Sequence, residues 1–291
     1  MARGAIVLGM HRSGTSLTAS LIGAWGAYGG DHHLIPGDAW NPAGYWEYFP
    51  LVRLNMDLLN ATGARTMIPP DDAGCELLTA LARSGPFRER GLSLLADMQR
   101  QQRPWFWKDP RMSILLPFWQ EILEDVLYVI VARHPAEVAE SLLKRTPDLA
   151  RAAALLVWQR YMSQALRSTA TTPWKLVVSY NGLLSRSAET CSTLCSFLDD
   201  TLLAQPDGGT YERTRRMVAV INPALYRNCD PEQVDGITPQ QHSLYVLLEE
   251  LARRPGTTPD PSWLHTESGW REYLCRAARH CIDFTEQAVA D

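Results

Sequence analysis

The segment Ile6-Val-Leu-Gly-Met-His-Arg-Ser-Gly-Thr-Ser16 restricts the possible folds of this chain more than any other. A short apolar run ends at Gly9, and Gly14 opens a segment with helical periodicity. This is the pattern of a strand, a tight loop and a helix N-terminus, whose backbone N–H groups and dipole bind phosphate. The Gly-x4-Gly spacing is that of a nucleoside triphosphate loop, but Thr15 stands where that loop has lysine, and Arg12 is its only cation. The sequence therefore predicts an anion site that differs from the usual ATP site.

Composition makes this anion site a local feature. The net charge of −4 over 291 residues gives no overall attraction for nucleic acid or for an anionic membrane. An apolar run of about 18 residues is absent, so no membrane span is predicted. His11 and Arg12 interrupt the apolar N-terminal run, which argues against a signal peptide. The six cysteines lack metal-ligand spacing, so we predict reduced thiols, a cytoplasmic location and no metal.

Four short runs with strand composition alternate with helical patterns. The predicted strands are Ala5–Leu8, Pro104–Trp107, Val126–Ala132 and Trp174–Val178. The clearest predicted helices are 112–124 and 135–145. The alternation predicts an α/β, P-loop-like three-layer fold with a central, mainly parallel sheet flanked by helices.

Beyond residue 210 the pattern contains helices and loops only. Loops are predicted at 69–75, 205–209 and 254–261. We therefore predict a core of residues 1–204 and a helical C-terminal extension, residues 205–291, that packs on the core within a single domain. The sequence does not indicate an oligomeric state.

Basic residues follow three of the four predicted strands. Arg12 follows the first strand, Lys108 the second and Arg133 the third, and Ser179-Tyr180-Asn181 follows the fourth. The carboxyl ends of parallel strands form the ligand edge of an α/β sheet, so these residues are expected to meet there. Three cations at one edge of an acidic protein predict a ligand with several anionic groups.

Arg133 and Ser141 form a candidate phosphate grip. An arginine at a strand end offers a planar fork, and a serine in the following helix offers a hydroxyl. The alternative is an ion pair between Arg133 and Glu137 or Glu140, with Ser141 facing solvent. The sequence leaves both interpretations open.

These segments together resemble the sulfotransferases that use 3′-phosphoadenosine 5′-phosphosulfate (PAPS). Residues 9–16 resemble the 5′-phosphosulfate loop of that family, and Arg133 with Ser141 resembles its 3′-phosphate clamp. Lys108, in Trp-Lys-Asp-Pro-Arg, resembles the second catalytic lysine of carbohydrate and tyrosine sulfotransferases. Residues 179–184 are similar to the Tyr-Glu-Asp-Leu segment that follows the last core strand. The resemblance covers about residues 1–200, with the motifs in the family's order.

Two further segments extend the resemblance. Asn41-Pro-Ala-Gly-Tyr-Trp-Glu47 is similar to a segment of bacterial sulfotransferases with natural-product, glycan or unassigned substrates, ahead of an acceptor-side helix near Pro50. Residues 222–228, which include Arg227, are similar to a late loop that closes on the nucleotide in some members.

The resemblance implies in-line transfer of the sulfuryl group of PAPS to a hydroxyl of a glycan, lipid or natural-product acceptor. Adenosine 3′,5′-bisphosphate would be the product, and no metal is required. Arg12 and Lys108 would neutralise charge on the transferring and leaving groups. The implied nucleotide contacts are His11, Arg12, Ser13, Gly14, Thr15, Ser16, Arg133, Ser141, Tyr180 and Arg227.

The general base has several candidates. Cytosolic small-molecule sulfotransferases carry a Lys-Thr-His pattern after the strand, but this chain has Pro110 at the histidine position. Glu47 is the first candidate, because the tyrosine and heparan enzymes resemble this arrangement and use a glutamate after the first helix. His33, Asp109 and His11 follow in that order. The alternatives are a Glu47 carboxylate that only serves a helix dipole and a His33 in a solvated loop.

Aromatic residues surround Glu47: Trp40, Tyr45, Trp46, Tyr48 and Phe49. They would line an acceptor pocket or pack a long loop into the core.

Two rival functions remain open on sequence alone. A P-loop nucleotide or small-molecule kinase is disfavoured by Thr15 in the lysine position and by the lack of a clear Mg²⁺-binding Asp. A catalytically inactive nucleotide-binding protein is disfavoured by the presence of Arg12, Lys108 and Arg133.

Overall fold

The computed structural model describes residues 4–202, 208–222, 224, 236–257 and 270–277. Its four parallel strands are β1 (Gly4–Leu8), β2 (Trp105–Lys108), β3 (Val126–Ala132) and β4 (Lys175–Ser179), in the sheet order β2-β1-β3-β4. Each boundary lies within one residue of its prediction, and the predicted α/β fold with a parallel sheet is confirmed.

The helices lie before, between and after these strands. They are α1 (Thr15–Trp25), α2 (Phe49–Ala61), α3 (Asp72–Arg83), α4 (Pro86–Gln99), α5 (Met112–Trp119), α6 (Pro135–Arg145), α7 (Arg151–Ser168), α8 (Tyr180–Ser185), α9 (Ser187–Thr201), α10 (Thr210–Val220), α11 (Pro239–Arg253) and α12 (Trp270–Ala277).

Both faces of the sheet are buried under helices. Successive residues of a strand point to opposite faces, so Ile6 and Leu8 belong to one apolar cluster whereas Ala5 and Val7 belong to another. The first cluster includes residues of helices α2 to α7 and of α11, and the second includes residues of α1, α9 and α10. Burial on both faces explains why the strands are continuous apolar runs rather than alternating ones.

Strand β1 lies between β2 and β3, so the chain crosses to one side of β1 and then to the other. In open α/β sheets, ligands bind in the crevice at the carboxyl ends of the strands where the strand order reverses. The loop after β1, residues 9–14, occupies this position.

Two predicted boundaries are wrong. Residues 69–75 are not all loop, since α3 begins at Asp72 and the Asp71 carboxylate caps it by accepting a hydrogen bond from the Gly74 N–H at 2.9 Å. The helix predicted over 112–124 ends at Trp119. Ile122 and Leu123 are nevertheless buried, so the apolar stripe indicated burial beyond the end of the helix.

The C-terminal helices pack on the rest of the chain. Helix α10 contacts α1 and α9, α11 contacts β4, and α12 contacts α7. The division into a core of 1–204 and an extension of 205–291 stays a prediction, and parts of the predicted loops 205–209 and 254–261 lie outside the described residues. Within the described residues, no helix is long and apolar enough to span a membrane. The four cysteines described there form no disulfide.

Candidate active site

The loop between β1 and α1 has a left-handed backbone at Arg12 (φ 68°) and Gly14 (φ 94°). Gly14 is required for a second reason, because a Cβ atom there would lie 2.2 Å from the ring of Tyr180. Ser113 fixes the first residue of the loop, because its Oγ accepts a hydrogen bond from the Gly9 N–H at 2.9 Å and donates one to the Gly9 carbonyl at 3.2 Å. The N-terminus of α1 therefore opens onto the edge of the sheet.

Lys108, the last residue of β2, joins this loop to the segment before α2. Its Nζ donates to Ser16 Oγ at 3.1 Å, to the Tyr45 carbonyl at 3.1 Å and to Glu47 Oε1 at 2.6 Å. Lys108 and Glu47 are both buried. A buried ammonium shared by three oxygens is a strongly held charge beside the predicted phosphate site.

A chain of buried polar groups lies behind Glu47. The Arg111 guanidinium lies 3.5 Å from Glu47 Oε2 and donates to Asp109 Oδ1 at 2.9 Å. Asp109 Oδ2 accepts from Asn55 Nδ2 at 2.7 Å, and Asn55 Oδ1 accepts from Trp119 Nε1 at 2.8 Å. Glu47 is thus positioned by two cations, one of which is itself anchored in the core.

The predicted grip of Arg133 with Ser141 differs from the contacts observed. Ser141 Oγ accepts from Arg12 Nε at 2.9 Å, whereas Arg133 pairs with Glu137 at 2.7 Å. Arg133 also donates to the Arg12 carbonyl at 2.8 Å and stacks 4.5 Å from the centre of the Tyr180 ring. The alternative ion pair with Glu137 is therefore present, but Arg133 and Ser141 still border one cavity.

That cavity has a volume of about 240 Å³ and lies at the carboxyl ends of β1, β2 and β3. It is lined by ten of the predicted site residues: His11, Arg12, Gly14, Thr15, Ser16, Glu47, Lys108, Arg133, Ser141 and Tyr180. Residues from five separate parts of the sequence thus meet at one edge of the sheet.

Two predicted site residues are placed elsewhere, and a third is not described. Ser13 is buried below the cavity, and its N–H donates to the Met10 carbonyl at 3.1 Å. His33 is exposed in a short 3₁₀ turn against Tyr48 and does not line the cavity. Arg227 lies outside the described residues.

Asp109, a further candidate base, does not line the cavity. Its two carboxylate oxygens accept hydrogen bonds from Arg111 and Asn55, and the residue is fully buried. The geometry therefore does not support a proton-accepting role for Asp109 or for the exposed His33.

His11 lines the cavity, and its Nε2 has no hydrogen-bond partner among the described residues. Burial lowers the pKa of His11 well below its ordinary value, and the charges of Arg111 and Lys108 lower it further. The imidazole is therefore neutral near pH 7, where it can hydrogen-bond a ligand but is a weaker base than an ordinary histidine.

The aromatic residues around Glu47 divide between the two predicted roles. Trp40, Tyr45 and Trp46 line the cavity, whereas Tyr48 is buried and does not. The Trp46 ring also packs over Gly23, where a Cβ atom would lie 2.9 Å from it. Segment 34–48 is thus a packed wall with an aromatic inner surface.

Several residues of the site escaped prediction from the sequence. They are Asn41, whose Nδ2 donates to Ser16 Oγ at 3.2 Å, Arg111, Ser113, Lys144 and Arg145. The spacing from Ser141 was a usable signal for the last two, because residues three and four positions along a helix share its face.

Comparisons with known proteins identify the family of this chain. The sequence profile of the sulfotransferase family matches residues 5–202. No curated protein matches the chain. A sulfotransferase domain from the Synechococcus PCC 7002 olefin synthase has 20% identity, with 96% of this chain and 94% of that chain covered and a TM-score of 0.41. A sulfotransferase domain from the curacin biosynthetic pathway has 15% identity, with 95% and 97% covered and a TM-score of 0.45. Because the family profile spans more than half of its residues, this chain belongs to the sulfotransferase family and is a sulfuryl-transferring enzyme.

Proposed function

We propose that this enzyme transfers the sulfuryl group of PAPS to a hydroxyl of a glycan, lipid or natural-product acceptor. The observation that carries the proposal is the position of Lys108. Its ammonium reaches Ser16 at the N-terminus of α1 and Glu47 on the opposite wall at the same time. A cation that lies between a phosphate loop and a candidate base suits transfer of an anionic group to a hydroxyl.

The residues present fit a nucleotide with phosphate at both ends. Gly14 lets the loop at the N-terminus of α1 pack directly against the Tyr180 ring, and His11 lines the cavity with a buried Nε2 that has no partner among the described residues. Arg12, Thr15 and Ser16 would hold the 5′ end, and Arg133 with Ser141 would hold the 3′-phosphate. When bound, PAPS supplies the activated sulfuryl group.

Arg12 and Lys108 supply positive charge where negative charge develops. Arg12 lies across the cavity mouth, bonded to Ser141 and to the Trp40 carbonyl at 3.3 Å. Lys108 is held by oxygen atoms on two walls, so neither cation needs to be organised during the reaction. Loss of one preorganised donor of this kind typically costs about 10²–10³ in rate.

Glu47 is our candidate for the general base. It is the carboxylate that lines the cavity among the described residues, and it lies beside Lys108. Oε1 of Glu47 is hydrogen-bonded to Lys108, so it can accept a proton only when the Lys108 ammonium turns toward another anion. Arg111 holds the second oxygen from the core side, which keeps the carboxylate oriented during that shift.

Adenosine 3′,5′-bisphosphate should stabilise the protein in the presence of EDTA. At about 100 times the dissociation constant, the ligand adds about 2.7 kcal/mol. The melting temperature should therefore rise by roughly 5 °C or more in a thermal shift assay. A kinase would respond instead to ATP with Mg²⁺, and an inactive scaffold to neither. Transfer of labelled sulfate from PAPS to a panel of hydroxyl acceptors then tests the reaction itself.

Replacing Arg133 by Ala should weaken binding of adenosine 3′,5′-bisphosphate by about 10–100-fold, the value of a hydrogen bond to a charged group. Arg133→Lys should retain part of the affinity, because it keeps the charge but loses the fork. Arg151→Ala is the matched control, since Arg151 also pairs with a glutamate, Glu140, but lies outside the cavity lining. Calorimetric affinities equal to those of the control would remove Arg133 from the site.

A further inference from the structure

Two cations of the cavity have no role in the proposed handling of the donor. Lys144 and Arg145, in the last turn of α6, line the same cavity as Arg12, Lys108 and Arg133. Glu47 is the single carboxylate against these five cations among the described residues that line it. The lining therefore carries an excess of positive charge in a chain whose net charge is −4, although Glu137 pairs with Arg133 behind it.

Arg145 is directed toward the acceptor-side wall. Its guanidinium donates to the Tyr45 hydroxyl at 3.2 Å and lies 3.9 Å from the Asp38 carboxylate. The Tyr45 hydroxyl itself donates to Asp38 at 2.7 Å. The 3.9 Å separation of Arg145 from Asp38 is long for an ion pair, so Asp38 compensates the charge of Arg145 only weakly.

Tyr45 links this position to the reacting centre. Its carbonyl accepts from Lys108 Nζ at 3.1 Å, while its hydroxyl contacts Arg145. Burial and the hydrogen bond to Asp38 raise the pKa of Tyr45 to about 12, so its hydroxyl remains a neutral donor. One tyrosine side chain therefore separates Lys108 and Glu47 from the second group of cations.

Lys144 is exposed and has no hydrogen bond or ion pair with the described residues. The carboxylates that precede it on α6 are engaged elsewhere, since Glu137 pairs with Arg133 and Glu140 with Arg151. A cation in the last turn of a helix also interacts favourably with the helix dipole, but that interaction does not require a position on a cavity wall.

We infer that Lys144 and Arg145 bind an anionic group of the acceptor, a carboxylate or a phosphate. The anionic group of the acceptor would be separated from the hydroxyl that receives the sulfuryl group by about the length of the Tyr45 side chain. The inference rests on the proposed function, and it selects acidic acceptors over neutral sugars and lipids. Trp40 and Tyr45 would cover the apolar part between the two ends.

The test compares 4-hydroxyphenylacetate with its neutral amide and with the corresponding phosphonate, by calorimetry on enzyme loaded with adenosine 3′,5′-bisphosphate. A charged member should bind on the order of 10–100-fold more tightly than the amide. The comparison of carboxylate and phosphonate identifies the preferred anion. The preference should fall to less than about threefold in Lys144→Gln/Arg145→Gln, since both charge-assisted hydrogen bonds are lost.

Lys144→Gln alone should lose part of the preference, and it changes an exposed side chain that the fold does not need. Arg83→Gln, which removes the same charge from an exposed site on α3, is the control and should keep the preference. Equal binding of charged and neutral members by the wild-type enzyme, or no binding of either anion at millimolar concentration, overturns the inference. So does a preference that survives in the double variant.

Donor binding distinguishes this result from failure of the proposed function. If the double variant loses affinity for adenosine 3′,5′-bisphosphate as strongly as Arg133→Ala, the two cations belong to the donor and the inference fails. If the wild-type enzyme does not bind the nucleotide, the proposed function fails. In that case the preference for the charged over the neutral compounds is measured on the enzyme without nucleotide, and its presence or absence still supports or overturns the inference.

Discussion

Replacing Glu47 by Gln is expected to lower the turnover of sulfuryl transfer by about 10²–10⁴-fold, the usual contribution of a general base. The amide keeps the shape of the side chain and one oxygen for Lys108, but it cannot accept the acceptor's proton. Turnover is measured at saturating PAPS and acceptor, together with its pH dependence.

Glu140→Gln is the matched control for this variant. Glu140 is partly exposed, pairs with an arginine, Arg151, and does not line the cavity, so its loss should leave turnover within about twofold of wild type. A loss below tenfold for Glu47→Gln, with nucleotide binding intact, would contradict our assignment of the base. The role would then pass to His11, because His33 is exposed and both oxygens of Asp109 are engaged.

The sheet and the residues at its edge could be predicted from the sequence. Strands buried on both faces are continuous apolar runs, so β1 and β3 are visible without any long-range information. Parallel strands bring their carboxyl ends together, and this alone places Arg12, Lys108 and Arg133 near one another. The cavity lining shows that all three do meet at one edge.

The pairing of side chains within the site could not be predicted in the same way. The spacing places Arg133 just before α6 and Ser141 within that helix, but it does not determine which arginine the serine contacts. The structure pairs Ser141 with Arg12, which is 129 positions away. Such a contact depends on the left-handed backbone at Arg12, which no local pattern indicates.

The exposure of His11 and His33 could likewise not be predicted from the local sequence. His33 and His11 both follow glycine-containing loops, and the sequence ranked His33 ahead of His11 as a base. The exposure of the 3₁₀ turn and the burial of the loop after β1 reverse that order. Burial depends on contacts with distant segments: His11 packs against Tyr161 of α7, whereas His33 lies in an exposed turn beside Tyr48.

The buried chain behind Glu47 leads to a stability prediction. Replacing Asp109 by Asn should destabilise the protein by about 3–5 kcal/mol, because the fully buried Arg111 would lose its closer carboxylate partner and keep Glu47 at 3.5 Å. The new amide also places N–H groups against the Asn55 amide. Asn55 cannot turn to accept, since its oxygen already accepts from Trp119 at 2.8 Å. The melting temperature should fall by on the order of 10 °C.

Asp57→Asn is the control for this prediction. Asp57 pairs with Arg90 at 2.6 Å, yet both side chains are about half exposed, so the loss should be within about 1 kcal/mol. Unfolding in urea compares the two variants. Equal losses would show that burial of the Asp109–Arg111 pair does not matter.

Replacing both members, as Asp109→Leu/Arg111→Met, separates the stability of the pair from its effect on Glu47. An apolar replacement of a whole buried ion pair is often neutral or stabilising, so part of the stability should return, although the buried Asn55 amide loses its Asp109 acceptor. Turnover should not return with it, because Arg111 is the second cation that orients Glu47, at 3.5 Å from Oε2. A double variant that recovers both would show that Lys108 alone is sufficient to position the base.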